Sequence, residues 1–255
     1  MLLAVAGIIV LMTAATIAAA FFVFAPRIAE GRIIYDVDPD LPMGFGFKMA
    51  WLAVRTEDTR GVAAALGLAG VERVNWRAGL GTVYDDRLGE THVFVTPPVA
   101  GWTFVIGLPL PHPAGDSYAD KMTPLLLQLS RRFGEAQYFL SFPPADHFAW
   151  ARARAGRLVR AFAIAPAGVT WSSGHLTAEE RAMGMGLFEL RGVRGREGDA
   201  GGRMLLYPTE RHVTELAGRW GLDPTRLDHV RAEPALGLIG IGPEGWRARR
   251  LDAAA

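Results

Sequence analysis

From Leu2 to Ala25 the chain carries no charged residue, and only Thr13 and Thr16 interrupt the apolar run. As a helix at about 1.5 Å per residue it would reach roughly 36 Å, against a bilayer hydrocarbon core of about 30 Å. A cleaved secretory leader is the competing reading, with Ala18-Ala19-Ala20 as its small-residue site. The length of the run and the lack of Lys or Arg ahead of it favour an uncleaved single-pass transmembrane anchor over residues 1–26. Arg27 and Arg32 follow the run, so the positive-inside rule places the C-terminal domain in the cytoplasm. The lipid bilayer, met through residues 2–25, is therefore the first expected partner.

The rest of the chain is long enough for one well-cored domain. Lys+Arg 27 against Asp+Glu 26 leaves a net charge of +1, without the basic footprint of a general nucleic-acid binder, so no nucleic-acid partner is expected. There is no cysteine, which excludes disulfide scaffolds, thiolate metal sites and cysteine nucleophiles.

The expected fold class is α+β: the anchor, an extended tether over 27–43 marked by Pro39 and Pro42, then one domain over 44–255 with an antiparallel or mixed sheet covered by helices on one side. Strands are expected at Phe45–Val54 and Val71–Trp76, with a hairpin joining Val93–Thr96 to Trp102–Ile106 across PPVAG. Helices are expected at Thr59–Leu66, stopped by Gly67, and from Thr123-Pro124 to Phe133, stopped by Gly134. Gln137 to Trp171 reads as three strands, the last two joined at Ala155-Gly156. Counting back from that tip sets Trp150 opposite Ala161, Phe148 opposite Ala163 and Ala149 opposite Phe162, so that large side chains meet small ones. A Gly/Arg-rich segment at about 191–203 reads as a mobile loop, and 209–231 as a helical hairpin followed by a strand at Leu236–Ile241.

Few motifs survive inspection. Gly240, Gly242 and Gly245 match GxGxxG, but the ten residues that follow supply neither the helix nor the distant acid a dinucleotide site needs. Asp36, Asp38 and Asp40 alternate as in the first motif of haloacid-dehalogenase-like phosphatases, and Asp116 with Asp120 resembles the late metal-binding motif of that superfamily. Pro39-Asp40 replaces the expected Gly-Thr, and no lysine but Lys48 precedes Asp116. A membrane-bound, metal-dependent phosphate-ester hydrolase using Asp36, Asp38, Asp116 and Asp120 is accordingly the alternative reading. The six histidines form neither HxxxH nor HExxH, and Ser172-Ser173-Gly174-His175 lacks a positioned acid.

Residues 214–230, TELAGRWGLDPTRLDHV, follow helix-turn-helix spacing, which would expose Thr225, Arg226 and His229 for DNA. A membrane-tethered regulator is the second alternative. The Ala155-Gly156 hairpin gathers Arg152, Arg154 and Arg157 into a small cationic lip suited to an acidic partner.

The segments GFGFKMAWLAVRT (44–56), VFVTPP, LSRRFGEAQYF (129–139), HFAWARARAGRLVRAF (147–162) and WGLDPT (220–225) are similar to a group of uncharacterised bacterial proteins. That resemblance implies no substrate and no catalytic residue. Lys48 and Lys121 are the only lysines, an Arg bias that fits a GC-rich bacterial genome. With no coherent catalytic set and no cofactor motif, the sequence reads as a non-enzymatic interaction module at the bacterial inner membrane. An accessory or stabilising subunit of a membrane complex, or an immunity-like binder of a protein partner, fits that description.

Overall fold

A computed structural model describes residues 27–29, 32–113, 120–166, 168–189 and 207–246. It corrects the expected architecture. The fold is one antiparallel sheet of nine strands with a few short helices, and helices lie on both of its faces. Among the described residues no helix is long and apolar enough to cross a membrane. The expected anchor over 2–25 and the Gly/Arg-rich segment over 191–203 lie outside the described residues.

Two three-residue strands, β1 (Arg27–Ala29) and β2 (Arg32–Ile34), pair with each other. The main sheet contains β3 (Met49–Val54), β4 (Ala69–Val74), β5 (His92–Val95), β6 (Thr103–Ile106), β7 (Glu135–Phe142), β8 (His147–Arg154), β9 (Arg157–Ala165), β10 (Gly168–Ser173) and β11 (Gly237–Ile241). Their spatial order is β10-β9-β8-β7-β3-β6-β5-β11-β4. Sequence neighbours form hairpins on the β7–β10 side, whereas β11 returns from the C-terminal region to pair between β5 and β4.

Period-two alternation divides the strand residues by size. One face is aromatic: Trp51, Phe94, Phe104, Phe139, Phe148, Trp150 and Phe162 are all buried there. The Trp51 and Phe139 rings stack at 5.2 Å. This face is covered by helix α2 (Trp76–Tyr84), by the short helix α4 (Ala178–Ala182) at Trp150, and by helix α5 (Glu210–Trp220), the last through Val213, Leu216, Ala217 and Trp220. The other face is largely alanine and valine, including Ala136, Ala149, Ala151, Ala153, Ala161 and Ala163. Helix α1 (Thr59–Leu66) and helix α3 (Met122–Phe133) lie on that flatter floor, α3 through Met122, Leu125, Leu126 and Leu129.

Helix α1 occupies the expected residues and ends at Gly67 in the left-handed conformation. Helix α2 has no counterpart in the sequence reading, which carried a strand through Trp76. Its nine residues include two glycines, which weaken helix propensity. It is secured instead by Asn75, whose side chain accepts from Ala78 N–H. Gly79 is needed for close packing: a Cβ there would sit 2.6 Å from the Phe94 ring. Gly79→Ala is expected to lower stability by about 1–3 kcal/mol despite its better helix propensity. Urea unfolding of the two proteins measures this, and a gain in stability would contradict the packing argument.

The β8–β9 hairpin turns at Ala155-Gly156 as expected, but its register differs from the expectation. Arg154 faces Arg157 and Ala153 faces Leu158, after which the pairing slips and Arg152 faces Arg160. Val159 is the extra, outward residue of this bulge, 42% exposed. Beyond it Trp150 lies opposite Phe162, stacked at 4.6 Å, and Ala149 opposite Ala163. Large therefore meets large and small meets small. Without the bulge Phe162 would point into the alanine face under α3, so sorting by face outweighs complementarity at each rung.

The stretch expected as an extended tether contains the β1–β2 pair, and residues 36–45 are held against the domain. Asp36 O accepts from Asn75 N, Asp38 O from Asn75 Nδ2 and Asp40 O from Ala235 N. Phe45 N donates to Pro224 O. The C-terminal helical hairpin is also altered. Helix α5 runs over the expected residues, but after Gly221 the chain makes only a six-residue 3-10 turn, Pro224–His229, with a non-helical kink at Arg226. A recognition helix for a DNA groove is thus lacking at this position.

Candidate functional site

Strand polarity divides the potential binding groups between the two ends of the sheet. Met49 and Phe142 lie at one end of the central strands β3 and β7, while Arg55 and Glu135 lie at the other. Eight residues of β7 separate these ends by about 25 Å.

The Arg55 end carries the hairpin tip. Of its arginines, Arg152 is withdrawn from use as a contact: it is 8% exposed, its Nε donates to Glu135 Oε1 at 2.6 Å, and its guanidinium lies over the Trp220 ring. Arg154 donates to Glu135 Oε2 at 2.9 Å, with its side chain still 53% exposed. Gln137 Nε2 also donates to Glu135 Oε1. Burial alone would raise the Glu135 pKa, but the bonds from Arg152, Gln137 and Arg154 hold it below the usual carboxylate value. Glu135 is therefore turned inward and saturated.

Arg157 remains exposed opposite Arg154. Arg131 and Arg132 join them from the last turn of α3, with the Arg131 side chain against Gly156. Arg55 follows β3, where its N–H bonds Glu135 O and its guanidinium covers the Trp102 ring. The exposed arginines Arg55, Arg131, Arg132, Arg154 and Arg157 thus lie at one end of the sheet on four elements. The sequence reading found two of them. Arg55 and the α3 pair needed the strand order to be known. Glu57 and Asp58 also lie at this end of the sheet, beyond β3 toward β6, and Asp58 is occupied in capping α1 at Gly61.

At the opposite end a half-open cleft of about 730 Å³ is lined by Lys48, Tyr84, Asp85, Asp86, Glu90 and His112, with Phe142 and Trp246 among its apolar walls. Asp85 accepts from the N–H groups of Arg87 and Leu88. Asp86 and Glu90 are exposed and have no hydrogen bond or ion pair among the described residues.

His112 is engaged through both ring nitrogens, at 2.8 Å from Tyr138 Oη (Nδ1) and 3.1 Å from Leu108 O (Nε2). A carbonyl can only accept, so Nε2 carries the proton and Nδ1 accepts the Tyr138 hydroxyl. Burial, with the neighbouring His147 ring, lowers the His112 pKa to about 4. Burial also raises the Tyr138 phenol well above its ordinary value. This pair is a closed relay, with no nitrogen left for a metal or a substrate.

The carboxylates of the hydrolase reading do not come together. Asp36 Oδ1 accepts from Asp38 N, and both residues are exposed. Asp40 caps α2, accepting from Trp76 N at 2.6 Å and Arg77 N at 3.0 Å. Asp120 accepts from Thr123 N at the start of α3. Asp116 lies outside the described residues. Among the described residues no three His, Asp or Glu side chains are placed to hold a metal ion. Of the positions assigned to DNA contact, Thr225 is tied to Asp223 through its N–H and hydroxyl, while Arg226 and His229 are exposed on the 3-10 turn.

Sequence reasoning missed the buried ion pair Arg160–Glu180. Both side chains are fully buried, with Arg160 Nε 2.8 Å from Glu180 Oε1. Glu180 also accepts from Trp150 Nε1 at 2.7 Å and closes a capping box with Thr177. The Thr-x-x-Glu spacing was a visible signal for the cap, but the bulge that turns Arg160 inward was not.

No protein-family model matches the chain, and comparisons with curated proteins and with solved structures gave no match.

Proposed function

We propose that this domain is a non-enzymatic protein-binding module that receives an acidic partner surface at the arginine end of its sheet, as an accessory subunit or an immunity-like binder would. The observation that carries this reading is the group of exposed arginines at this end of the sheet, with Arg131, Arg154 and Arg157 at a hairpin tip whose neighbouring acid, Glu135, is buried and consumed. Arginine is suited to the task because its planar fork can bind carboxylates in bidentate fashion. An interaction role is further supported by the exposed apolar residues: Ile34, Val37, Leu41, Met43 and Phe47 fall in one short stretch of the N-terminal arm.

Poly-L-glutamate titrated calorimetrically into the full-length chain at low salt tests the reading. Arg131→Glu/Arg157→Glu is expected to weaken binding at least about tenfold, and Arg73→Glu, on the far edge strand β4, to leave it unchanged. Equal weakening by both variants would reduce the effect to net charge and contradict a defined site.

A further inference from the structure

We infer that the acidic surface met by the arginine end is the cleft at the opposite end of a second copy of this chain, so that copies associate head to tail. The inference rests on the arginine-end reading and supplies its partner. Three observations lead to it. First, the two surfaces are complementary in charge. The tip presents Arg131, Arg154 and Arg157 around Ala155-Gly156, while the cleft presents Asp85, Asp86 and Glu90 against Lys48, with His112 held neutral near pH 7. Asp146 and Glu244 lie at the cleft end too, as do Arg87 and Lys121, so the acidic excess is concentrated in the cleft itself.

Second, the shapes correspond. A two-residue turn flanked by guanidinium groups is a ligand-sized object, and a cleft of about 730 Å³ falls within the range that holds such groups. Phe47 and Tyr84, 53% and 44% exposed and joined by a hydrogen bond from Tyr84 Oη to Phe47 O, offer aromatic surface to arginine stems. Third, the two surfaces belong to opposite ends of the same strands, so one copy cannot satisfy itself and the contact is heterologous rather than two-fold. A net charge of +1 leaves little overall repulsion to oppose it.

Sedimentation velocity on the full-length chain in a mild non-ionic detergent decides the matter, using three proteins: wild type, the tip variant Arg131→Glu/Arg157→Glu, and the cleft variant Asp86→Lys/Glu90→Lys. Circular dichroism of each variant verifies its fold. Wild type is expected to grow with concentration, with association at least about tenfold weaker at 300 mM than at 50 mM NaCl. Each variant alone should lose this growth. Their equimolar mixture should associate again, because one keeps an intact cleft and the other an intact tip, and the reversed tip and reversed cleft are themselves opposite in charge. A wild type that stays monomeric at about 100 µM in low salt overturns the inference, as does association that survives either variant or a mixture that stays monomeric. Poly-L-glutamate binding separates the two levels: if it persists at the tip without self-association, only the head-to-tail assignment falls, and if it is absent both fall.

Discussion

Replacing Glu180 by alanine is expected to cost the fold about 3–5 kcal/mol, the range for removing one partner of a buried ion pair. The cause is what remains behind. Arg160, with no exposed side-chain surface, would keep its charge while losing the carboxylate 2.8 Å away. The carbonyls of Ala161 and Ser173, which accept from Nη1, bring no counter-charge. Trp150 Nε1 and the N–H of Thr177 would lose their acceptor in the same step. The double replacement Arg160→Met/Glu180→Leu should be far less costly, because it removes both charges and fills the space with apolar atoms. Guanidinium unfolding of the single and double variants distinguishes these outcomes. A double variant as unstable as Glu180→Ala would show that the pair contributes more than mutual neutralisation.

The second large effect is acid sensitivity centred on His112. Its folded pKa of about 4 lies below the ordinary value of 6.5, so the unfolded chain binds the proton more readily. Stability from this group is therefore fully present above about pH 6.5 and is lost as the pH falls toward 4. Between pH 7.5 and 4.5 the loss is about 2–3 kcal/mol. His147, lowered by its own burial, acts in the same direction. In His112→Gln, the difference in unfolding free energy between those two pH values should shrink by roughly that amount. An unchanged difference would mean that the relay to Tyr138 and Leu108 is not what resists protonation.

How legible these features were in the sequence depended on the range of the interactions behind them. Helices α1 and α5 and the Ala155-Gly156 turn follow from local capping, glycine and periodicity signals, and they occupy the expected residues. Helix α2 was hidden because much of its support is distant: beside the local Asn75 cap, Asp40 caps it from outside, and Phe94 requires the glycine that weakens its propensity. The β8–β9 register failed for a similar reason. A bulge at Val159 is set by the demand of the aromatic face for Phe162, and nothing next to Val159 announces it.

The candidate site was legible in part. Arg154 and Arg157 are hairpin neighbours in sequence, but Arg131 reaches the tip only because α3 lies beneath β7, β8 and β9. Arg152 was expected at the surface because the Ala155-Gly156 tip gathers it with Arg154 and Arg157. Its inward position reflects Glu135 and Trp220, which come from other parts of the chain. The second helix expected after Gly221 is interrupted at Arg226, where the backbone leaves helical geometry.

Hydrogen-exchange mass spectrometry of the full-length chain with and without poly-L-glutamate tests the central claim most directly. The account predicts slowed exchange at the end of α3, residues 131–134, and at the hairpin tip, residues 153–158, with no protection gained at the cleft end. Protection centred instead on Arg211 and Arg219 of α5, or no protection at the tip at all, would contradict it.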